Sequence, residues 1–545
     1  MADAGWSVLC CFTFLLRSPT HRAGKRAPEL CLGSPCEGRV EDKFDSSQSR
    51  SEDPNEGERR TSTIPSLKDA CAVTCSRRSA LAWRWMIVVG RLGPVLIRSL
   101  ADYCVCGGPR CASANARRTR QQLEKLGPAF VKLGQAFAAR EDILSDEVVK
   151  ELRMLCDQVP AFPLADARRV VREELGRSSP VLPEKPIAAA SLGQVYRVRI
   201  QGRPFALKVQ RPGLQTSIAR DVVVLRGLAK LANLFLSRWT IAGLDLTDVV
   251  DNWASTMWME LDYVHEAHTV DFMRKALGSK VPALVIPPVN WALTRTRVIG
   301  TEWVDGEKVT QNPHCITEKH LALGVEAFVA MILEVGLVHA DPHAGNMMVT
   351  SKGQLCLLDF GMVVRVPVEH RLSWAACCVN LVRGDHSATL DSLIQIGFFP
   401  ANCPRDVVLP VMSKIWTQLV ACGSNTRKRR EAVFACYSEI KTLVRRLEFG
   451  LPDYYVCLAR ALLTLEGIAL SANCEFDIFT AAFPVALRAV TAAAVDRARA
   501  TIVETGSSAR ALVGSRGHQR AAAATIAAAV MAVLAMQGWG AMLPA

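Results

Sequence analysis

The chain of 545 residues carries 65 Lys and Arg against 52 Asp and Glu, a net charge of +13, and half of its residues are hydrophobic. That length exceeds what one hydrophobic core organises, so two or more lobes with tails are expected. The basic residues are spread along the chain rather than gathered in a stripe, which argues against nucleic acid as a partner, and 19 scattered cysteines imply no disulfide framework and fit a reducing compartment.

Residues 1–78 mix Ser, Arg, Pro and Cys and then run into the polar "VEDKFDSSQSRSEDPNEGERR", too poor in apolar surface to order itself. Arg17, Arg22, Lys25 and Arg26 give the first part the character of an organelle transit peptide, with a disordered tail as the alternative. Residues 79–185 read as helical. In "SDEVVKELRML", Ser145 is placed as an N-cap, Asp146 and Glu147 lie in the first turn, and Val148, Leu152 and Leu155 share one face.

Residues 186–306 open with "AAASLGQVYRVRIQGRPFALKVQ", alternating apolar positions broken at Gly202, which predicts paired strands. Amphipathic helices are expected over 216–235 and 246–277, then short strands at "ALVIPPV" and "TRVIGTEWV". Residues 307–500 read mostly as helix, interrupted by "QLCLLDFGMVV". In the last segment, 501–545, the stretch from Ala521 to Ala545 has no charged residue over about 25 positions, enough to span a bilayer. Alanine drives insertion only weakly, so a membrane-dipping tail and an Ala-rich helix packed on protein both stay open. The fold class is α+β, a small β-rich lobe followed by a helical large lobe with a cleft between them.

Phosphoryl transfer from a nucleotide needs a cation on the phosphates, metal ligands bridging them, and a group that orients the nucleophile. Lys208, in "FALKVQ", sits on a predicted strand as the lysine of a V-A-I-K motif does. In "HADPHAGN", Asp341 and Asn346 keep the D-x-x-x-x-N spacing of a kinase catalytic loop, the aspartate meeting the nucleophile and the asparagine a magnesium ion. In "LLDFGMV", Asp359 precedes Phe360 and Gly361 in the metal-binding D-F-G arrangement. Each triplet alone is weak; in this order, with one short hairpin-like segment between the last two, they reinforce one another. The lysine also needs an acidic partner, and "MELDYVHEA" offers Glu260, Asp262 and Glu266, with Lys132 as a second cation to answer them. His339 is expected to pack in the loop rather than bind metal, because Pro342 separates it from His343.

The segment departs from a conventional protein kinase in three ways. In "AAASLGQV", which runs on through Ser191, Ala188, Ala189 and Ala190 stand where a phosphate-covering loop carries glycines, leaving only Gly193. Ala340 replaces the arginine that in many kinases binds an activation-loop phosphate, and no A-P-E motif follows Asp359.

With "KLGQ" (Lys132 to Gln135), "AAAS", Lys208, "ELD" (Glu260 to Asp262), "HADPHAGN" and "LDFG" in series, residues 120–490 resemble the UbiB-type, or ABC-one, atypical kinases. "TEWVDGEKV" and "LTLEGIALSANCEFDI" look most like plastid and cyanobacterial members, with mitochondrion as the second compartment. The resemblance implies a protein-kinase-like bilobal fold whose helical N-terminal extension lays the K-x-G-Q motif over the active site. It implies ATP or ADP with Mg2+, held by the alanine loop, Lys208, Glu302 and Val304 on the nucleotide side and by Asn346 and Asp359 at the metal. It further implies Glu266 as the partner of Lys208, Asp341 as a catalytic group, and Glu260 and Asp262 engaging Lys132 and Gln135. Partners would be prenyl-lipid or quinone-pathway components at an organelle membrane. Two positions depart from the family pattern, Ala344 for proline and Thr269 for asparagine. A conventional Ser/Thr kinase and a nucleotide-gated scaffold without turnover remain the alternatives at this stage.

Overall fold

The computed structural model describes residues 65–76, 78–106, 112–138, 146–155, 161–236, 246–340, 344–421 and 482–492, with a few positions between 454 and 469. The proposed transit segment before residue 65, the Ala-rich tail, Ser145 and Asp341 lie outside the described residues.

Among the described residues, five helices form the extension: α1 (Leu67–Ser76), α2 (Arg78–Cys106), α3 (Ala112–Leu126), α4 (Pro128–Ala138) and α5 (Asp146–Arg153). They pack against α7 (Leu214–Leu236) and α8 (Leu246–Met259) through two apolar clusters, one built on Ala129, Ile218, Val222, Met257 and Leu261, the other on Val88, Phe130, Val131, Leu152, Leu155 and Val224. One buried ion pair rivets this layer to the small lobe. Arg84 donates from Nε and Nη2 to both oxygens of Asp221, at 2.6 and 3.0 Å, and Asp221 is fully buried. Burial pushes the Asp221 carboxyl up and the guanidinium pulls it back down. Arg84→Ala leaves that carboxylate without its partner, and we expect a loss of about 3 kcal/mol in urea unfolding. Arg98, largely exposed and sharing Asp102 with Arg118, serves as control, its alanine variant costing about 0.5 kcal/mol or less because Asp102 keeps its second partner.

The small lobe carries one antiparallel sheet in the order β1 (Ala188–Ala189), β2 (Gly193–Ile200), β3 (Arg203–Gln210), β4 (Val298–Glu302). The break foreseen at Gly202 is a two-residue hairpin turn, with φ of 50° at Gln201 and 81° at Gly202, the left-handed pair that matches the twist of the flanking strands. Phe205, Leu207 and Val209 face α6 (Leu164–Leu175) through Val170, Val171 and Leu175, which by alternation turns Lys208 to the opposite face.

Two expectations need correction here. The segment 246–277 is not one helix: α8 stops at Met259 and α9 runs Tyr263–Gly278, because the Asp262 carboxylate caps the second helix by accepting from the Val264 and His265 N–H groups. Nor is "ALVIPPV" a strand. Val285 makes only an isolated bridge to Cys356, since Pro287 and Pro288 have no N–H to continue a ladder.

The large lobe begins where β5 (Gly306–Lys308) joins β7 (Met347–Thr350) and β8 (Leu355–Leu357) in a three-stranded sheet. Helix α10 (Glu318–Ala330) buries Leu321, Val325 and Phe328 and passes through one wider turn, Met331–Val335, into Gly336 at φ 76°. There the chain reverses into β6 (Leu337–His339), paired with β9 (Val363–Arg365). Helices α11 (Val368–Arg383), α12 (His386–Ile396) and α13 (Arg405–Ala421) follow. The hairpin-like segment expected between the two loops is β7–β8; beyond it, the described residues of this lobe add β5, β6 and β9, each of three residues, too short for period-two alternation to register.

Candidate active site

Three elements bring their charges to one point between the lobes. Lys208 projects from the middle of β3, Glu266 from the first turn of α9, and Asp359 from the segment after β8. The Lys208 ammonium donates to both Glu266 carboxylate oxygens at 2.8 Å and to Asp359 Oδ2 at 3.4 Å. Asp359 Oδ1 accepts from the Gly361 N–H at 2.7 Å, which fixes the carboxylate from below. Gly361 itself is pressed in, since a Cβ there would stand 3.1 Å from Asp359 Oδ1 and 3.4 Å from Glu266 Oε2.

Burial and charge divide the two acids. Glu266 is almost sealed from solvent, so burial pushes its carboxyl up to about 7, against the pull of Lys208 and with the Asp359 charge adding to the rise. Burial also opposes ionisation of Asp359, but Lys208, the Gly361 N–H and, more weakly, His339 and Lys132 hold its carboxyl well below the ordinary range. Burial disfavours the ammonium, yet Asp359 and Glu266 keep it well above its usual value. Asp359 is therefore an anion at neutral pH, as a divalent cation requires of a hard oxygen ligand.

Asn346 reaches the same end of the lobe by register. Met347 pairs with Leu357, and the Leu358 N–H donates to the Asn346 carbonyl at 3.0 Å, so Asn346 and Asp359 leave the β7–β8 hairpin side by side. An ionised carboxylate beside an amide is a donor set suited to Mg2+ that is otherwise ligated by phosphates and water. These residues would hold the ion, and the Lys208 ammonium the phosphates. Asp341 lies outside the described residues; Ala340 before it is buried and donates its N–H to the Met362 carbonyl at 2.9 Å. His339 is buried against the rings of Phe328 and Phe360, 6.5 and 5.4 Å between centroids.

The alanine loop is a narrow hairpin end. Ala188 and Ala189 pair with Val195 and Gln194, and the Ala190 N–H donates to the Gly193 carbonyl at 2.8 Å, which closes the turn through a buried Ser191. Glu302 ends β4 opposite Phe205 and donates its N–H to Pro288, and Val304 lies in the link to β5 between the lobes.

Lys132 forms an ion pair with Glu260 Oε2 at 2.7 Å, joining the extension to the turn between α8 and α9. Gln135 does not share that destination, because its amide donates to the Leu155 carbonyl at 2.9 Å within the extension. Asp262 is spent on capping α9, so of the two acids expected at the K-x-G-Q motif only Glu260 meets it. Thr269 donates to the His265 carbonyl inside α9, and Ala344 packs against the large-lobe core. Sequence reasoning passed over Tyr263, which is fully buried with the Lys208 ammonium 4.8 Å from its ring centroid. Its only visible signal was an aromatic three residues before Glu266, at the first position of α9.

A strand lysine paired to a helix glutamate, facing a D-F-G aspartate across two lobes, defines a protein-kinase-like architecture. Residues 154–393 match the model of the ABC1 atypical kinase-like domain, and the chain carries an ABC1 atypical kinase domain. It is 33% identical over 422 residues to Protein ACTIVITY OF BC1 COMPLEX KINASE 3, chloroplastic, of Arabidopsis thaliana, an alignment covering 74% of this chain and 57% of that one. An uncharacterized protein of Synechocystis is 32% identical over 386 residues, covering 69% and 56%. The chain thus spans a little over half the length of these relatives. Among solved structures it is similar to Rv3197 of Mycobacterium tuberculosis, determined in complex with erythromycin, at 22% identity and a TM-score of 0.47, covering 64% of this chain and 90% of that one.

Proposed function

We propose that the chain is an ATP-dependent atypical kinase or ATPase of the UbiB type, acting in isoprenoid quinone or prenyl-lipid metabolism at a plastid membrane. The observation that carries the reading is the single ammonium of Lys208 held between Glu266 and Asp359. Asn346 and Asp359 would bind Mg2+, Lys208 would neutralise the phosphates, and Asp341 would orient the acceptor hydroxyl or water. Glu266 touches no ligand in this scheme; it aims the lysine.

The chloroplastic names of Arabidopsis relatives support a plastid location. Helix α2 supports membrane association: 78–99 is long and apolar enough to cross a bilayer, and it leaves Trp83, Met86, Val89, Leu96 and Ile97 exposed. The stiff alanine turn and the Lys132–Glu260 pair favour nucleotide hydrolysis or transfer to a small acceptor over transfer to peptides.

Nucleotide turnover by the full chain, with and without anionic liposomes carrying a quinone-like lipid, tests this. Magnesium-dependent turnover that rises with the lipid is the expected result. Failure to bind nucleotide with Mg2+ overturns the enzymatic reading, and robust phosphorylation of generic peptides would favour a conventional kinase.

A further inference from the structure

Among the described residues, Tyr263 has the one buried side-chain hydroxyl without a hydrogen-bond partner. Its ring is sealed by Ala267 and Ile299 and lies beneath Lys208, and its backbone is tied to the small lobe by the bond from its N–H to the Thr296 carbonyl at 3.2 Å. The hydroxyl end reaches the turn of the alanine loop. A Cβ on Gly193 would stand 2.8 Å from that oxygen and 2.6 Å from the Val209 carbonyl, so one side chain walls both the lysine and the turn.

A lysine side chain has four rotatable bonds, and two carboxylates do not by themselves fix where its ammonium sits. A third acid would fix it only by adding to the repulsion that already raises Glu266. An aromatic face attracts the cation through its quadrupole and brings no net charge. It also bars water from that side of the ammonium. An aliphatic side chain would fill the same core position without that attraction, and a phenylalanine would supply it without the cost of a buried, unsatisfied hydroxyl.

From this geometry we infer that Tyr263 is a positioning residue, its ring face seating the Lys208 ammonium so that, with Glu266 and Asp359, it forms the socket that presents this cation to nucleotide phosphates. The consequence for phosphates rests on the proposed reading of the cleft; the seating of the lysine does not.

Two measurements on the full chain separate them. In 13C-lysine-labelled protein, ring currents shift the Lys208 ε-methylene resonance upfield. The shift is expected to vanish in Tyr263→Leu and persist in Tyr263→Phe. Calorimetry with adenosine and with ATP plus Mg2+ then gives the preference for the phosphorylated ligand. That preference is expected to fall about three- to tenfold in Tyr263→Leu with adenosine affinity unchanged, and to hold in Tyr263→Phe, which melts no lower than the native chain. A missing upfield shift, or an equal weakening of adenosine and ATP, overturns the inference and leaves Tyr263 as packing alone. A preference unchanged in Tyr263→Leu overturns it as well. If the native chain shows the shift but binds neither ligand, the seating stands and the proposed function falls.

Discussion

Replacing Lys208 by methionine is expected to abolish magnesium-dependent nucleotide binding and to cost about 3 kcal/mol of stability at pH 8, because two carboxylates then face each other without their cation. The cost depends on pH, and its sign follows from Glu266. Its carboxyl is raised to about 7 in the folded chain, above its unfolded value, so between those two values the folded state binds more protons than the unfolded state. Stability contributed by this group therefore falls as pH rises through that window, and the fall ends near 7 in the native protein. Without Lys208 the main force holding the carboxyl down is gone, so the window extends upward. The deficit of Lys208→Met relative to the native chain should grow between pH 7 and 9, by up to about 1.4 kcal/mol per pH unit while Glu266 alone titrates. Urea midpoints across that range give the slope. The double variant Lys208→Met/Glu266→Gln should recover most of the stability and flatten the slope while still failing to bind nucleotide. A double variant as unstable as the single one would place the cost in packing rather than charge.

Lys208, Asn346 and Asp359 were legible because each belongs to a motif of fixed spacing whose flanks fold locally, whereas Glu266 was one of three candidate acids until the family resemblance singled it out. Lys208 lies in an alternating strand, and Asn346 and Asp359 bracket a hairpin whose apolar residues pair in register. The three-dimensional partners were less legible. Asp262 has helical phase with Glu266, yet its short carboxylate satisfies free N–H groups better at a helix start than within a helix, and periodicity does not distinguish the two. Gln135 follows Lys132 by one turn, but its amide was claimed by the Leu155 carbonyl, a contact 20 residues away that no local pattern encodes. Tyr263 was invisible for a related reason. A buried aromatic reads as core until the strand opposite it is placed, and that strand is set by pairing of Lys208 with Ile299, about 90 residues on.

Asp359→Asn is expected to separate function from folding. Asparagine keeps an oxygen for the Gly361 N–H, so the turn after β8 holds. It loses the attraction to Lys208 but also the repulsion toward Glu266, and Asp359 is partly exposed, so unfolding free energy at pH 7 should stay within about 1 kcal/mol of native. Because the native carboxyl is depressed, its stabilising contribution is present above the unfolded value and is lost as pH falls through the folded one. The variant should therefore lose less stability on acidification than the native chain. Turnover is a different matter. The neutral amide cannot replace an anion as magnesium ligand, and Lys208, now answered by Glu266 alone, is drawn toward the glutamate. Magnesium-dependent turnover should drop about 100-fold or more, a loss of about 2.7 kcal/mol or more in transition-state stabilisation. Steady-state turnover beside a urea titration decides the matter, and a variant that turns over ATP at the native rate would remove Asp359 from the metal site.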